Sequence, residues 1–142
     1  MRAEGRRVVA TNGCFDILHV GHVRYLAAAR KLGDALVVGL NGDDSVRQLK
    51  GEGRPVNRER DRAEVLAALE SVDYVTIFPE KRATNFLRPA QPAVYAKGGD
   101  YTSDTLDSEE RAVLDEFGTR IEIIPFEKGY STSELLTRIG PK

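Results

Sequence analysis

Val8-Val9-Ala10 followed by Asn12-Gly13-Cys14-Phe15-Asp16-Ile17-Leu18-His19-Val20-Gly21-His22 is the stretch that decides the fold. Its opening residues form a short apolar, β-branched run of the kind that makes a buried strand. The chain then turns polar at once, with glycines, a thiol, a carboxylate and two imidazoles. Beyond it, Val23, Leu26 and Leu32 recur at helical spacing as far as Gly33, which supplies a stop. Strand, polar turn and helix make a first β-α unit.

The same unit repeats outward. Ala35-Leu36-Val37-Val38-Gly39-Leu40, residues 72–78, Ala93-Val94-Tyr95-Ala96 and Ile121-Glu122-Ile123-Ile124 read as further strands. Strands that are nearly continuous in apolar residues are expected to be buried on both faces of a parallel sheet. Asp61 with Glu64, Asp107 with Glu110 and Ser131 with Glu134 each have capping-box spacing ahead of an apolar helical pattern. The alternation predicts an α/β fold, a single Rossmann-like, doubly wound domain with a five-stranded parallel sheet over residues 1–142. The run Arg58-Glu59-Arg60-Asp61-Arg62 reads as a solvated helix face, with Arg62 as the candidate exception.

Composition narrows the function classes. The chain has 142 residues, 41% of them hydrophobic and 30% charged, which suits a folded core rather than disorder. A net charge of -1 provides no field to attract a polyanion, so nucleic acid is not an expected partner. Cys14 is the single cysteine, which rules out an internal disulfide and fits a reducing compartment. The sequence lacks a long apolar run, and Met1-Arg2-Ala3-Glu4-Gly5 lacks the apolar core of a signal peptide. A soluble cytoplasmic protein with no membrane partner is the expectation.

The chemistry-bearing residues fall where such a sheet binds ligands, outside the carboxyl ends of its strands. The first strand leads into Asn12 to His22, the second into Asn41-Gly42-Asp43-Asp44, the fourth into Lys97-Gly98-Gly99-Asp100, and the fifth into Glu127-Lys128-Gly129-Tyr130-Ser131-Thr132-Ser133. His19 and His22 are three apart at the start of the first helix and share one face. Free amides and the positive dipole end at that helix start favour an anion. Two imidazoles there would donate hydrogen bonds to phosphate oxygens, and Gly21 would let a phosphate approach the backbone. Three alternatives compete: a simple helix cap, a metal pair with Asp16, and Cys14 as a nucleophile beside a histidine. No Gly-x-x-x-x-Gly-Lys-Ser/Thr sequence occurs, and Gly51-Glu52-Gly53 lacks both the third glycine and the preceding strand of a dinucleotide fingerprint.

Gly13-Cys14-Phe15-Asp16 with His19-Val20-Gly21-His22 resembles the signature of the nucleotidylyltransferase superfamily. Arg62 and Ser131-Thr132-Ser133 are similar to its helix arginine and its carboxyl-terminal serine/threonine motif. Within the superfamily, Lys50-Gly51-Glu52-Gly53-Arg54-Pro55-Val56-Asn57 and Lys97-Gly98-Gly99-Asp100-Tyr101 resemble the heptose 1-phosphate adenylyltransferase domain of ADP-heptose synthesis. The resemblance implies attack by a sugar phosphate on the α-phosphorus of ATP, with pyrophosphate leaving. His19, His22, Lys50 and Arg62 would be catalytic, contacting phosphates and developing charge. Gly13, Cys14, Phe15, Asp16, Gly21, Lys97, Gly98, Asp100, Tyr130, Ser131, Thr132 and Ser133 would line the nucleotide site. Mg2+ is implied, held mostly by substrate oxygens with Asp100 as a candidate carboxylate, as is a homodimer. A CTP-dependent enzyme making a CDP-alcohol such as CDP-glycerol, and a non-catalytic nucleotide sensor, are the alternative functions.

Overall fold

A computed structural model describes residues 6–50, 53–79, 84–98 and 108–125. Five strands form one parallel sheet in the order β3-β2-β1-β4-β5, built from β1 (Val8–Gly13), β2 (Ala35–Asn41), β3 (Tyr74–Phe78), β4 (Val94–Gly98) and β5 (Arg120–Ile124). The doubly wound sheet expected from the alternation is present. β1 lies at its centre, with Val9 paired to Leu36 of β2 on one side and to Val94 of β4 on the other.

Helices cover both faces. α1 (Val20–Arg30) and α3 (Glu59–Ala67) contribute Leu26 and Leu66 to a core with Val9, Leu36, Val38 and Val94. α4 (Thr84–Ala90) and α5 (Ser108–Glu116) bury Phe86, Leu87, Val113 and Leu114 against Val8, Ala10 and Tyr95 on the opposite face. Alternate residues of β1 thus serve different cores, as a strand's period of two requires. Helix α4 approaches the sheet so closely that a Cβ on Gly39 would lie 2.7 Å from the Phe86 ring. A side chain at that position has no room.

Several expectations are corrected. Helix α4 was not foreseen, because it carries Pro89, and α2 (Asp43–Lys50), which buries mainly Ser45 and Val46, ends at Lys50. β2 is buried throughout, but β3 leaves Tyr74 and Ile77 exposed, because an edge strand has a neighbour on only one side. Asp61 does not cap α3. The N-cap is Arg58, without a side-chain hydrogen bond, and the helix is already under way at Glu59. The Asp107 and Ser131 caps lie outside the described residues. Among the described residues no helix is long and apolar enough to cross a membrane.

Candidate active site

Strand β1 delivers its polar loop to the amino end of α1, where the two histidines hold the helix start. The His19 backbone is extended, and its Nδ1 accepts the Gly21 amide at 3.1 Å. His22 Nδ1 accepts the His19 amide at 3.2 Å, closing a reciprocal capping box. The ring centroids lie 3.9 Å apart, and the Phe15 ring meets His22 edge-on at 5.5 Å. Phe15 takes a left-handed backbone (φ 45), and a Cβ on Gly13 would come within 3.0 Å of its ring. Glycine at position 13 makes room for the aromatic support beneath the imidazoles.

This geometry fixes the tautomers. A nitrogen that accepts a hydrogen bond carries no proton, so each ring holds its hydrogen on Nε2. Burial, reinforced by the neighbouring His19, pulls the His22 pKa down from 6.5 to about 4. His22 is therefore neutral at pH 7, with its one ring hydrogen on Nε2. The simple-cap alternative is what these contacts show directly: capping uses Nδ1 of each ring and puts the ring hydrogen on Nε2.

Asp16 fastens the next segment. Its buried carboxylate accepts from Arg54 Nε at 2.8 Å, the Val56 amide at 2.7 Å and the Asn57 amide at 2.8 Å. Asn57 Nδ2 donates in return to the Asp16 carbonyl at 2.7 Å. Desolvation alone would raise the carboxyl pKa. The Asn57 and Val56 amides and the Arg54 guanidinium together outweigh it and hold the group below its ordinary 3.8. A carboxylate engaged in this way does not complete a metal site with the histidines. Among the described residues no set of three His, Cys, Asp or Glu side chains could hold a metal.

Arg62 is the exception within its charge run. Its side chain is fully buried. Nε donates to Asn57 O, Nη1 to both Cys14 O and Asn41 O, and Nη2 to Asp43 Oδ1, all at 2.8–2.9 Å. The guanidinium ties the β1 loop, the end of β2, the start of α2 and the segment before α3 into one unit. Nearby, Glu59 Oε1 accepts the Asp43 amide at 3.0 Å.

Across the sheet's centre, Lys97 on β4 is buried and donates to Asn12 Oδ1 on β1 at 3.1 Å. The Tyr95 hydroxyl donates to the same oxygen. Burial lowers the Lys97 pKa, while the Glu110 and Cys14 charges act to raise it. Gly13, Cys14, Phe15, Asp16, His19, Gly21, His22 and Arg62 are thus gathered at the carboxyl edge of β1, with Lys97 and Gly98 beside them at the end of β4. Lys50 ends α2, and its side chain is outside the described part, as are Asp100, Tyr130, Ser131, Thr132 and Ser133. Residues not anticipated are Arg54 and Asn57 in the loop clasp, Asp43 beneath Arg62, and the Asn12–Tyr95 pair. The turn composition of residues 51–57 and the polar end of β1 were the available signals.

Comparison with known proteins agrees with this layout. A family model described as cytidylyltransferase-like matches residues 10–138. The chain is 50% identical over 138 residues to the bifunctional protein HldE of Geobacter sulfurreducens, and 53% identical over 137 residues to that of a Bradyrhizobium species. These alignments take in 97% and 96% of this chain but 28% of each relative, so the chain spans little more than a quarter of their length. Among solved structures, a lipopolysaccharide core biosynthesis protein from Thermoplasma volcanium is 30% identical with a TM-score of 0.70, over 89% of this chain and all of that one. Thermotoga maritima TmcAL, bound with α-thio ATP, shares the fold at a TM-score of 0.66 and 16% identity, over 94% of this chain and 50% of that one. With the histidine pair at the sheet edge and a family match spanning most of its length, this chain belongs to the cytidylyltransferase-like family.

Proposed function

We propose that this chain is a nucleotidylyltransferase that moves AMP from ATP to a sugar phosphate, heptose 1-phosphate, with release of pyrophosphate. The observation that carries the proposal is the histidine pair. Both rings are locked through Nδ1, with the ring hydrogen on Nε2, at the start of α1, whose first turn contains no acidic residue. Half-identity to HldE over nearly the whole chain supports the adenylyl donor. The likeness of the segments from Lys50 and from Lys97 to a heptose 1-phosphate adenylyltransferase supports the acceptor.

An acceptor phosphate oxygen attacks the α-phosphorus, and the bond to the bridging oxygen breaks toward pyrophosphate. The acceptor is ionised at neutral pH, so no general base is needed, and positioning and charge stabilisation do the work. His19 and His22 donate to phosphate oxygens as neutral groups, without gaining or losing a proton. Lys50, from the end of α2, and Ser131, Thr132 and Ser133 complete the phosphate contacts. Arg62 holds the loop carbonyls that shape the site. Mg2+ would be held mostly by the substrate's phosphate oxygens, with Asp100 as the candidate carboxylate, and would supply charge neutralisation there. A cytoplasmic homodimer is part of the same proposal.

The test is pyrophosphate release from four nucleoside triphosphates, each with heptose 1-phosphate, glycerol 3-phosphate and other sugar phosphates. Release with ATP and the heptose is expected. Preference for CTP with glycerol 3-phosphate, or nucleotide binding without release for any acceptor, overturns the assignment.

A further inference from the structure

The sheet reverses direction between β1 and β4. From β1 the chain steps outward through β2 to β3, then returns past β1 to β4 and β5. In open α/β sheets, ligands enter the crevice at the carboxyl ends of such a strand pair. β1 brings Asn12 to that crevice and β4 brings Lys97. Ala10 and Tyr95, two residues earlier on each strand, belong to the core packed by α4 and α5, so Asn12 and Lys97 lie on that face. The histidines lie on the other, because Phe15 beside His22 packs with Leu26 and Leu66.

The Asn12 amide has a defined orientation. Tyr95 and Lys97 both donate to Oδ1, and a reversed amide would set its NH2 against an ammonium group. Nδ2, with two N–H donors, therefore points away from that pair. The Lys97 ammonium is held 5.3 Å from the Tyr95 ring centre. Two oriented amide donors and the buried Lys97 amine thus stand together at the carboxyl ends of β1 and β4, groups that can hydrogen-bond the oxygens of a phosphate monoester.

We propose that Asn12, with Lys97 beside it, forms the subsite for the acceptor's phosphate, across the sheet edge from the histidines that hold the triphosphate. This rests on the nucleotidyl-transfer function above. Attacking and leaving oxygens lie roughly in line at the α-phosphorus. With pyrophosphate departing on the histidine side, the attacking oxygen comes from the side of α4 and α5. That oxygen forms the new P–O bond while the bond to the bridging oxygen breaks. Pyrophosphate takes the electron pair, and no proton moves.

Asn12→Asp separates this role from a structural one. It keeps an oxygen to accept from Tyr95 and Lys97 but replaces the two donors with a negative oxygen. The expected result is a rise of at least ~10-fold in KM for the sugar phosphate, with KM for ATP changed less than about 3-fold and melting temperature nearly kept. Calorimetric titration of wild type and variant with each substrate separately reads the same contrast without turnover. Unchanged acceptor affinity in Asn12→Asp, a rise in ATP KM as large as that for the acceptor, or a wild type that binds no sugar phosphate overturns the subsite. Asn12→Ala serves as a second variant. A lower melting temperature with unchanged acceptor affinity assigns Asn12 to the fold and also overturns it. If wild type uses CTP with glycerol 3-phosphate instead, the heptose assignment fails while the subsite is judged on the KM for glycerol 3-phosphate.

Discussion

Replacing Arg62 with methionine removes four hydrogen bonds and keeps much of the side chain's length. Three acceptors are backbone carbonyls, of Cys14, Asn41 and Asn57, and the fourth is Asp43. Stranding buried acceptors costs about 1 kcal/mol or more each, and breaking a buried ion pair costs ~3–5 kcal/mol. The Asp43 side chain is 31% exposed, so solvent moderates its share. A total of about 3–5 kcal/mol is expected, a drop of roughly 10–20 °C in melting temperature for a chain of this size. Calorimetry and urea unfolding measure it directly. Arg62→Lys retains the charge but not the fork, so it should recover only part of the loss. An Arg62→Met variant that melts within ~3 °C of wild type while losing turnover would refute the structural role and return the guanidinium to the phosphates.

Three further outcomes are expected. His19→Ala or His22→Ala lowers turnover by at least ~10²-fold through loss of a preorganised donor, and near wild-type turnover in a folded variant contradicts this. His22 titrates near 4 by NMR, below the ordinary 6.5. Between those values the unfolded chain binds a proton that the folded chain refuses. His22 thus adds stability above pH 6.5 and loses it as pH falls toward 4, and a midpoint above about 6 contradicts the buried, neutral ring. Asp16→Asn sets an NH2 group against the loop donors and destabilises by about 2–4 kcal/mol at pH 7, read by urea unfolding. The folded carboxyl lies below its ordinary 3.8, so its contribution is present above that pH and fades as pH falls through the lower folded value. The gap between wild type and variant should narrow there, and a gap constant down to pH 2 argues against the clasp.

The strands were legible because a sheet buried on both faces demands unbroken apolar runs, which β1 and β2 supply. Their polar ends were harder to place. β1 continues to Gly13 and β4 to Gly98, since backbone pairing does not stop where the side chains turn polar. Helix α2 has few apolar residues, and α4 contains a proline, so neither gave a periodic signal. The place of the histidine pair at the start of α1 was legible from its position after the first strand. The partners of Asp16 and Arg62 were not, because Asp16 reaches Asn57 across 41 positions and Arg62 reaches Cys14 across 48. Contacts of that span are set by tertiary approach, and local spacing does not encode them.

The capping box at the start of α1 has a consequence for affinity. Side chains that must be immobilised on binding each sacrifice rotational freedom, commonly ~0.5–1.5 kcal/mol. The His19 and His22 rings are already pinned by backbone amides before any nucleotide arrives. That entropy is surrendered when the chain folds, so a triphosphate bound at this helix start as proposed would meet rings that need not be frozen in place.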